Sequence, residues 1–528
     1  MSKIEHIDLI GDPSENFFSL GAKDKDAYQE IYSLITRLCA RNDVLAKAIK
    51  TTSELAVNIN NRGQLNLKNE IEAYAEGLKR PTKDVYFALL LPEIVASFNK
   101  WTPNLMSVVP GCSSLFTFNK ASKSIQHSRV LDYALVGPFD KYERTIKVDF
   151  KKRLKIFGLT TVGLPFPSLS SMNESGLTLA LHYKNGDFLD LNGDSIFSIT
   201  YQILSYCTSV HDVKKFLKNY PTMAHWGIYI SDKYGNVTSL DVKGSEIYQE
   251  KFEAKDHKYL YFNNRPLLVS NKTDFMQPYG NHNQCDLRRE SVTRKFKKAN
   301  YPELDTKESL RLLTTMEDQK KWHFDVITPS SIQAISMDAV NNTCHIIPGS
   351  APKYFQGEMI EYKDIFGDMQ INLVKDKVKT NKDIIQGMQR LANFQSHLDG
   401  GKIENAYHEI QMSYEYLKDT PHGAVIRFYI LVLQYIYESN KKDLAYLYTD
   451  FKELEGKLPK YLNDHRLLFM MRLEKLLGHP ILNDSKEIEN QNLKDLFEKE
   501  KKLKKPAIIM LKKLIFPRVE ILDILYGY

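Results

Sequence analysis

The periodicity of the chain changes twice, and those changes limit the fold more than any single residue does. From 112 to about 372 the sequence runs in short segments joined by turn residues: SLFTF, TIKVDFKKRLKIFGLTTVGL, GLTLALHY, HWGIYISDKYGNVTSLDV, KYLYFNN and SIQAISMDAVNNTCHIIPG. Segments of that kind read as strands, and DKYGN and DAVNN between apolar runs read as hairpin turns. One helix stands out among them, ITYQILSYCTSVHDVKKFLKN. Before this block, KDKDAYQEIYSLITRLCARNDVLAKAIK and LKNEIEAYAEGLKRPTKDVYFALLLPEIVASFNKW space their apolar residues three and four apart, as helices do. After it, GKIENAYHEIQMSYEYLKD and AVIRFYILVLQYIYESNKKDLAYLYTDFKELEG do the same. The order predicts an α+β layered core over 112–372, a helical leading segment over 1–111 and an α-helical C-terminal domain over 373–528.

Composition sets the chemical class. A chain of 528 residues with 43% hydrophobic and 26% charged residues has enough apolar side chains for two to four packed domains. Its net charge of +7 is spread thinly and comes with no zinc-finger or RNA-binding signature, which argues against nucleic acid as a partner. The cysteines, Cys39, Cys112, Cys207, Cys285 and Cys344, are far apart, odd in number and without a CxxC pair. Neither a disulfide framework nor a metal site is expected from them. MSKIEHIDLIGDPSENF lacks the signal-peptide pattern, and no apolar run reaches the roughly 18 residues of a membrane span, so a reducing cytoplasm is the expected compartment.

The residue that bears on chemistry is Cys112 in VVPGCSSLF, where Pro110 ends the helical texture and Gly111 precedes the thiol. The other cysteines read as packing residues, Cys285 with a place near the site as its alternative. Downstream, HSRVLDY sets Arg129 and Asp132 three apart on a strand that can neighbour the cysteine's own. An arginine there favours thiolate, and an aspartate can orient an amine or a substrate. SMNESGLTLALHY follows with a turn and a strand carrying His182 and Tyr183. YFNNRP puts Asn263 and Asn264 at a strand end, and QCDLRRES opens a helix with Arg288 and Arg289.

In this order the residues resemble the N-terminal-nucleophile (Ntn) cysteine hydrolases, and within them the isopenicillin N acyltransferase-like peptidases and the choloylglycine hydrolase and penicillin V acylase relatives. The resemblance covers roughly residues 1 to 360. A loose form of the group's leading motif is seen in Gly11, Glu15 and Gly21, and a later one in NEIEAYAEGL; Gly111-Cys112-Ser113 matches the nucleophile. Arg129 and Asp132 match R-x-x-D, Asn173-Glu174-Ser175-Gly176-Leu177 matches N-E-x-G-L, and Ile230, Asp232 and Gly235 match the hairpin. Asn264 matches the strand-end asparagine. Ser113 stands where Thr is commoner, Ser128 where Gly is usual, and Asp241 where Glu is frequent.

The resemblance implies a four-layer αββα sandwich and a backbone cut between Gly111 and Cys112. The freed α-amine of Cys112 would then serve as base for its own sulfur, since such amines titrate at roughly 7.7–8.0. It implies Arg129 beside the thiolate, Asp132 holding amine or substrate, and Asn264 with the Tyr183 backbone N–H as oxyanion donors. Arg288, with Arg289 as the alternative, matches the supporting arginine. His182 and Tyr183 border the substrate pocket, and no cofactor is implied. The substrate class is a small N-acyl amide, opened by hydrolysis or acyl transfer. Two other readings stand beside it. One is a membrane-surface lipid amidase resembling the acid ceramidase and N-acylethanolamine branch, suggested by the basic, apolar tail 498–527. The other is a retired scaffold whose C-terminal helices, which resemble tetratricopeptide hairpins, bind a partner protein.

Overall fold

A computed structural model of the chain describes residues 4–39, 47, 50–51, 67–98, 111–133, 136–184, 188–267, 279–299, 303–316, 325–378, 380–513, 515 and 517–518. The leading segment forms a strand, β1 (Glu5–Gly11), before its helices α1 (Pro13–Cys39), α2 (Lys68–Leu78) and α3 (Thr82–Phe98). The central block begins with β2 (Gly111–Asn119), β3 (Ser124–Asp132), a one-turn helix α4 (Pro138–Lys141) and β4 (Glu143–Phe150). It continues with β5 (Ile156–Thr161), β6 (Ser170–Asn173), β7 (Thr178–Tyr183), α5 (Ile196–Tyr206) and α6 (Val210–Leu217). Then come β8 (His225–Ser231), β9 (Asn236–Lys243), β10 (Glu246–Glu253), β11 (Leu260–Phe262), α7 (Tyr279–Lys298) and α8 (Thr306–Thr314). The block closes with β12 (Ser331–Asp338), β13 (Thr343–Ile346), β14 (Glu358–Lys363) and β15 (Gln370–Lys375).

These strands make two sheets, ordered β1-β4-β5-β6-β7-β8-β9-β10 and β11-β2-β3-β12-β13-β14-β15. Neighbours are antiparallel except at β1, which lies parallel to β4 with Ile7 opposite Ile146. The sheets face each other across Phe157, Leu159 and Met172 on one side and Ile335, Met337 and Ile346 on the other. A second inter-sheet cluster joins Phe116 and Ile125 to Tyr229 and Val237. Helices α1–α3, α5 and α6 cover the outer face of the first sheet. Helices α7 and α8 cover the second, which completes four layers.

The sequence reads one helix through ITYQILSYCTSVHDVKKFLKN, and the structure breaks it in two. Cys207 turns to an extended ψ of 138°, and Ser209 then caps α6 by accepting the Asp212 N–H. A serine three residues before an aspartate is a helix-start signal strong enough to interrupt the apolar pattern.

The C-terminal helices are α9 (Lys382–Asp399), α10 (Ile403–Leu417), α11 (His422–Tyr437), α12 (Lys441–Glu453), α13 (Lys460–Leu477), α14 (Gln491–Lys501) and α15 (Lys505–Lys512). Their buried side chains run without a break into those of α7, α8 and the second sheet. Ala392 of α9 belongs to the same apolar cluster as Cys112, Leu131 and Ile332. In the basic tail, Ile508 and Ile515 pack inward, while Ile509, Met510 and most of the described lysines face out. No described helix is long and apolar enough to cross a membrane. Residues 514, 516 and 519–527 of that tail lie outside the described residues.

Candidate active site

Cys112 is the second residue of β2, and the antiparallel register sets it opposite Leu131 on β3, with Gly111 opposite Asp132. Arg129 lies two residues back along β3 and is buried. Its Nη2 donates to the Leu181 carbonyl at 2.6 Å and stands 3.5 Å from Cys112 Sγ, and its Nη1 donates to Ser170 Oγ at 2.7 Å. The guanidinium is thereby fixed on the sulfur by two oxygens of the opposite sheet.

Asp132 and Arg288 form the second charged pair. Arg288 Nη1, from α7, donates to Asp132 Oδ2 at 3.0 Å and to the Cys112 carbonyl at 3.2 Å. Ser331 Oγ donates to the other oxygen of Asp132. Asn264 follows β11 and closes the constellation. Its Oδ1 accepts the Cys112 N–H at 2.7 Å and a longer bond from Arg288 Nη2 at 3.3 Å, and its Nδ2 donates to the Tyr183 carbonyl at 3.0 Å. The Tyr183 backbone N–H faces the sulfur and favours its anion. Burial nevertheless pushes the Cys112 thiol up, and Arg129 only partly offsets this.

Gly111 has no room for a side chain. A Cβ there would stand 2.6 Å from Asp132 Oδ2 and 3.3 Å from Arg288 Nη1. The thiol opens onto an apolar pocket walled by Leu131, Leu164, Leu169, Phe197 and Trp226 of the central block. Ile35 of α1 and Leu89 and Pro92 of α3 supply the rest of that wall, so the leading segment is part of the site.

The structure therefore brings together Cys112, Arg129, Asp132, Asn264, Arg288 and Tyr183. Of the paired residues left open by sequence, Arg289 points outward over Tyr261, and Asn263 shapes its turn by bonding Arg265 N and the Cys285 carbonyl. His182 lies apart from the pocket lining. Its ring meets Ser114 Oγ at 2.7 Å and packs on Tyr229 between the sheets, because alternation along β7 sends it to the opposite face from Tyr183. Sequence reasoning missed Ser170, Ser331 and the α3 wall. It also missed Lys184, whose signal was a lysine ending a run of buried strand residues.

Two sheets stacked between helical layers, with a cysteine entering an inner strand directly after glycine, make the four-layer αββα sandwich that the motif resemblance implies. Residues 136–324 match the family model described as acyl-coenzyme A:6-aminopenicillanic acid acyl-transferase, in line with the resemblance seen in the motifs. No curated protein matches the chain. Among solved structures, an N-acylethanolamine-hydrolyzing acid amidase ortholog of Caenorhabditis elegans is 15% identical over 46% of this chain and 97% of its own, at a TM-score of 0.31. Penicillin V acylase from Agrobacterium tumefaciens is 10% identical over 49% and 88%, at 0.32. A conjugated bile acid hydrolase from Clostridium perfringens is 14% identical over 51% and 97%, at 0.28.

Proposed function

We propose that the chain is a self-processing cysteine amidohydrolase or acyltransferase, cut between Gly111 and Cys112, that takes an apolar acyl group from an N-acyl amide onto Cys112. The observation that carries it is the Cys112 thiol, beside Arg129 and the Tyr183 N–H, in the lining of the apolar pocket. In the first cut the sulfur attacks the Gly111 carbonyl carbon. The C–N bond breaks, its nitrogen takes the thiol proton to become the Cys112 α-amine, and water hydrolyses the Gly111 thioester. That amine starts from 2.7 Å of Asn264 Oδ1 and beside its own sulfur, a position suited to base work.

On substrate, Cys112 forms a thioester with the acyl group and releases the amine, and water or a second amine then removes the acyl group. Asn264 Nδ2 and the Tyr183 N–H are the donors for the oxyanion, and loss of one such donor costs about 10²–10³ in rate. The apolar wall supports a hydrocarbon acyl group over a charged one. Intact-mass spectrometry of wild type beside Cys112→Ala tests the cut. Two fragments meeting at Gly111/Cys112 in wild type and one whole chain in the variant are expected. A wild type that stays whole and accepts no acyl group at Cys112 would remove the proposal.

A further inference from the structure

The Asn264 turn is held from below by an ammonium group that touches neither the sulfur nor the pocket. Lys184, the residue after Tyr183, is completely buried. Its Nζ donates to Tyr229 Oη at 2.7 Å, to the Asn263 carbonyl at 3.3 Å and to the Arg265 carbonyl. A lysine ammonium has three N–H donors, so each meets one of these oxygens. Two of the three are the carbonyls on either side of Asn264.

The counter-ion is Asp241 of β9. Its Oδ1 lies 3.5 Å from Lys184 Nζ, and its Oδ2 accepts the Leu267 N–H at 2.7 Å, which pins the far end of the same turn. Space for the lysine comes from Gly227 on β8, where a Cβ would stand 2.5 Å from Lys184 Cε. Neither Lys184 nor Asp241 lines the apolar pocket.

We infer that Lys184, with Asp241 as its counter-ion, is a positioning residue that holds Asn264, one of the two oxyanion donors, in register. It anchors the carbonyls of the residues on either side of Asn264, and it directly follows Tyr183, whose carbonyl accepts from Asn264 Nδ2. A hydrocarbon side chain would fill the same space without holding those carbonyls. The turn carrying Asn264 would then drift, and a displacement of about 1 Å at a catalytic group can cost about 10²-fold in rate. This role rests on the proposed cysteine chemistry.

The test compares full-length wild type, Lys184→Met and the double variant Lys184→Met/Asp241→Asn on a decanoyl p-nitroanilide, with acyl-Cys112 followed by intact mass. The double variant leaves no lone buried charge and so separates positioning from folding. Both variants are expected to lose tenfold or more in kcat with KM within about twofold, because the pocket is unchanged. A double variant that melts near wild type and keeps its kcat overturns the positioning role while the cysteine chemistry stands. A wild type that forms no acyl-Cys112 and releases no nitroaniline overturns both.

Discussion

At Gly111 the backbone lies so close to Asp132 and Arg288 that even a methyl group would displace one of them. Alanine there would push against a buried, hydrogen-bonded pair, and such overpacking costs about 1–3 kcal/mol. Gly111→Ala is therefore expected to slow the proposed self-cleavage about tenfold or more, read as the loss of whole chain over time by mass. Cleavage at the wild-type rate would mean that the close approach plays no part in the reaction. Most of this site could be read from sequence because its members sit in short motifs. Glycine before cysteine, arginine three before aspartate, and asparagine before Arg-Pro are each weak alone, and it is their order, which resembles that of one family, that made them legible. The turn residues were legible for a local reason: Asn173 Oδ1 takes the Ser175 and Leu177 N–H groups, and Asp232 Oδ1 takes those of Tyr234 and Asn236. Lys184 and Asp241 were not legible as a pair. Fifty-seven positions separate them, and only the pairing of β7 with β8 and β8 with β9 brings them together.

Among the elements, the junction of α3 with α5 carries an unusual carboxyl group. Glu93 of α3 accepts the Ile196 N–H at 2.5 Å and the Ser195 hydroxyl at 3.1 Å, at the N-terminus of α5. A helix N-terminus favours a carboxylate, yet burial is the larger effect and, with Asp194 nearby, Glu93 is pushed up to about 8. A free glutamate titrates near 4.3, so between about pH 4.3 and 8 the folded chain binds a proton that the unfolded chain lacks. The stabilisation from this group is complete below that window and falls as pH rises through it, by at most about 1.4 kcal/mol per pH unit. Melting temperatures measured from pH 5 to 9 are expected to fall less steeply in Glu93→Gln than in wild type. Parallel curves would remove Glu93 as the cause. Its neighbours Pro92 and Phe197 wall the pocket, which ties the shape of the site to this junction. Local periodicity served well for elements of this length and poorly for short ones. β1 has seven residues and one buried side chain, too few to register against the helices after it.

Taken whole, the molecule treats the leading segment as part of its core. β1 is a strand of the first sheet, and α1 and α2 cross where Gly21 and Gly77 let their backbones meet. A Cβ at either glycine would stand 2.1 Å from a carbonyl oxygen of the other helix, which gives the glycines of the leading motifs a packing reason. Asp24 of α1 receives Arg144 of β4 through two bonds of 2.5 and 2.7 Å, and Tyr74 of α2 adds a third at 2.7 Å. Severing the chain at Gly111 breaks none of these. Both fragments are therefore expected to elute together in native gel filtration and to separate only under denaturing conditions. Asp24→Asn leaves Arg144 buried without its charge partner, and removing one member of such a pair costs about 3–5 kcal/mol. That variant is expected to melt well below wild type and, once cut, to shed its leading fragment. A wild-type leading fragment that leaves under native conditions would show that β1 and the Asp24–Arg144 pair do not hold it, and the pocket would then lose the wall that Ile35, Leu89 and Pro92 provide.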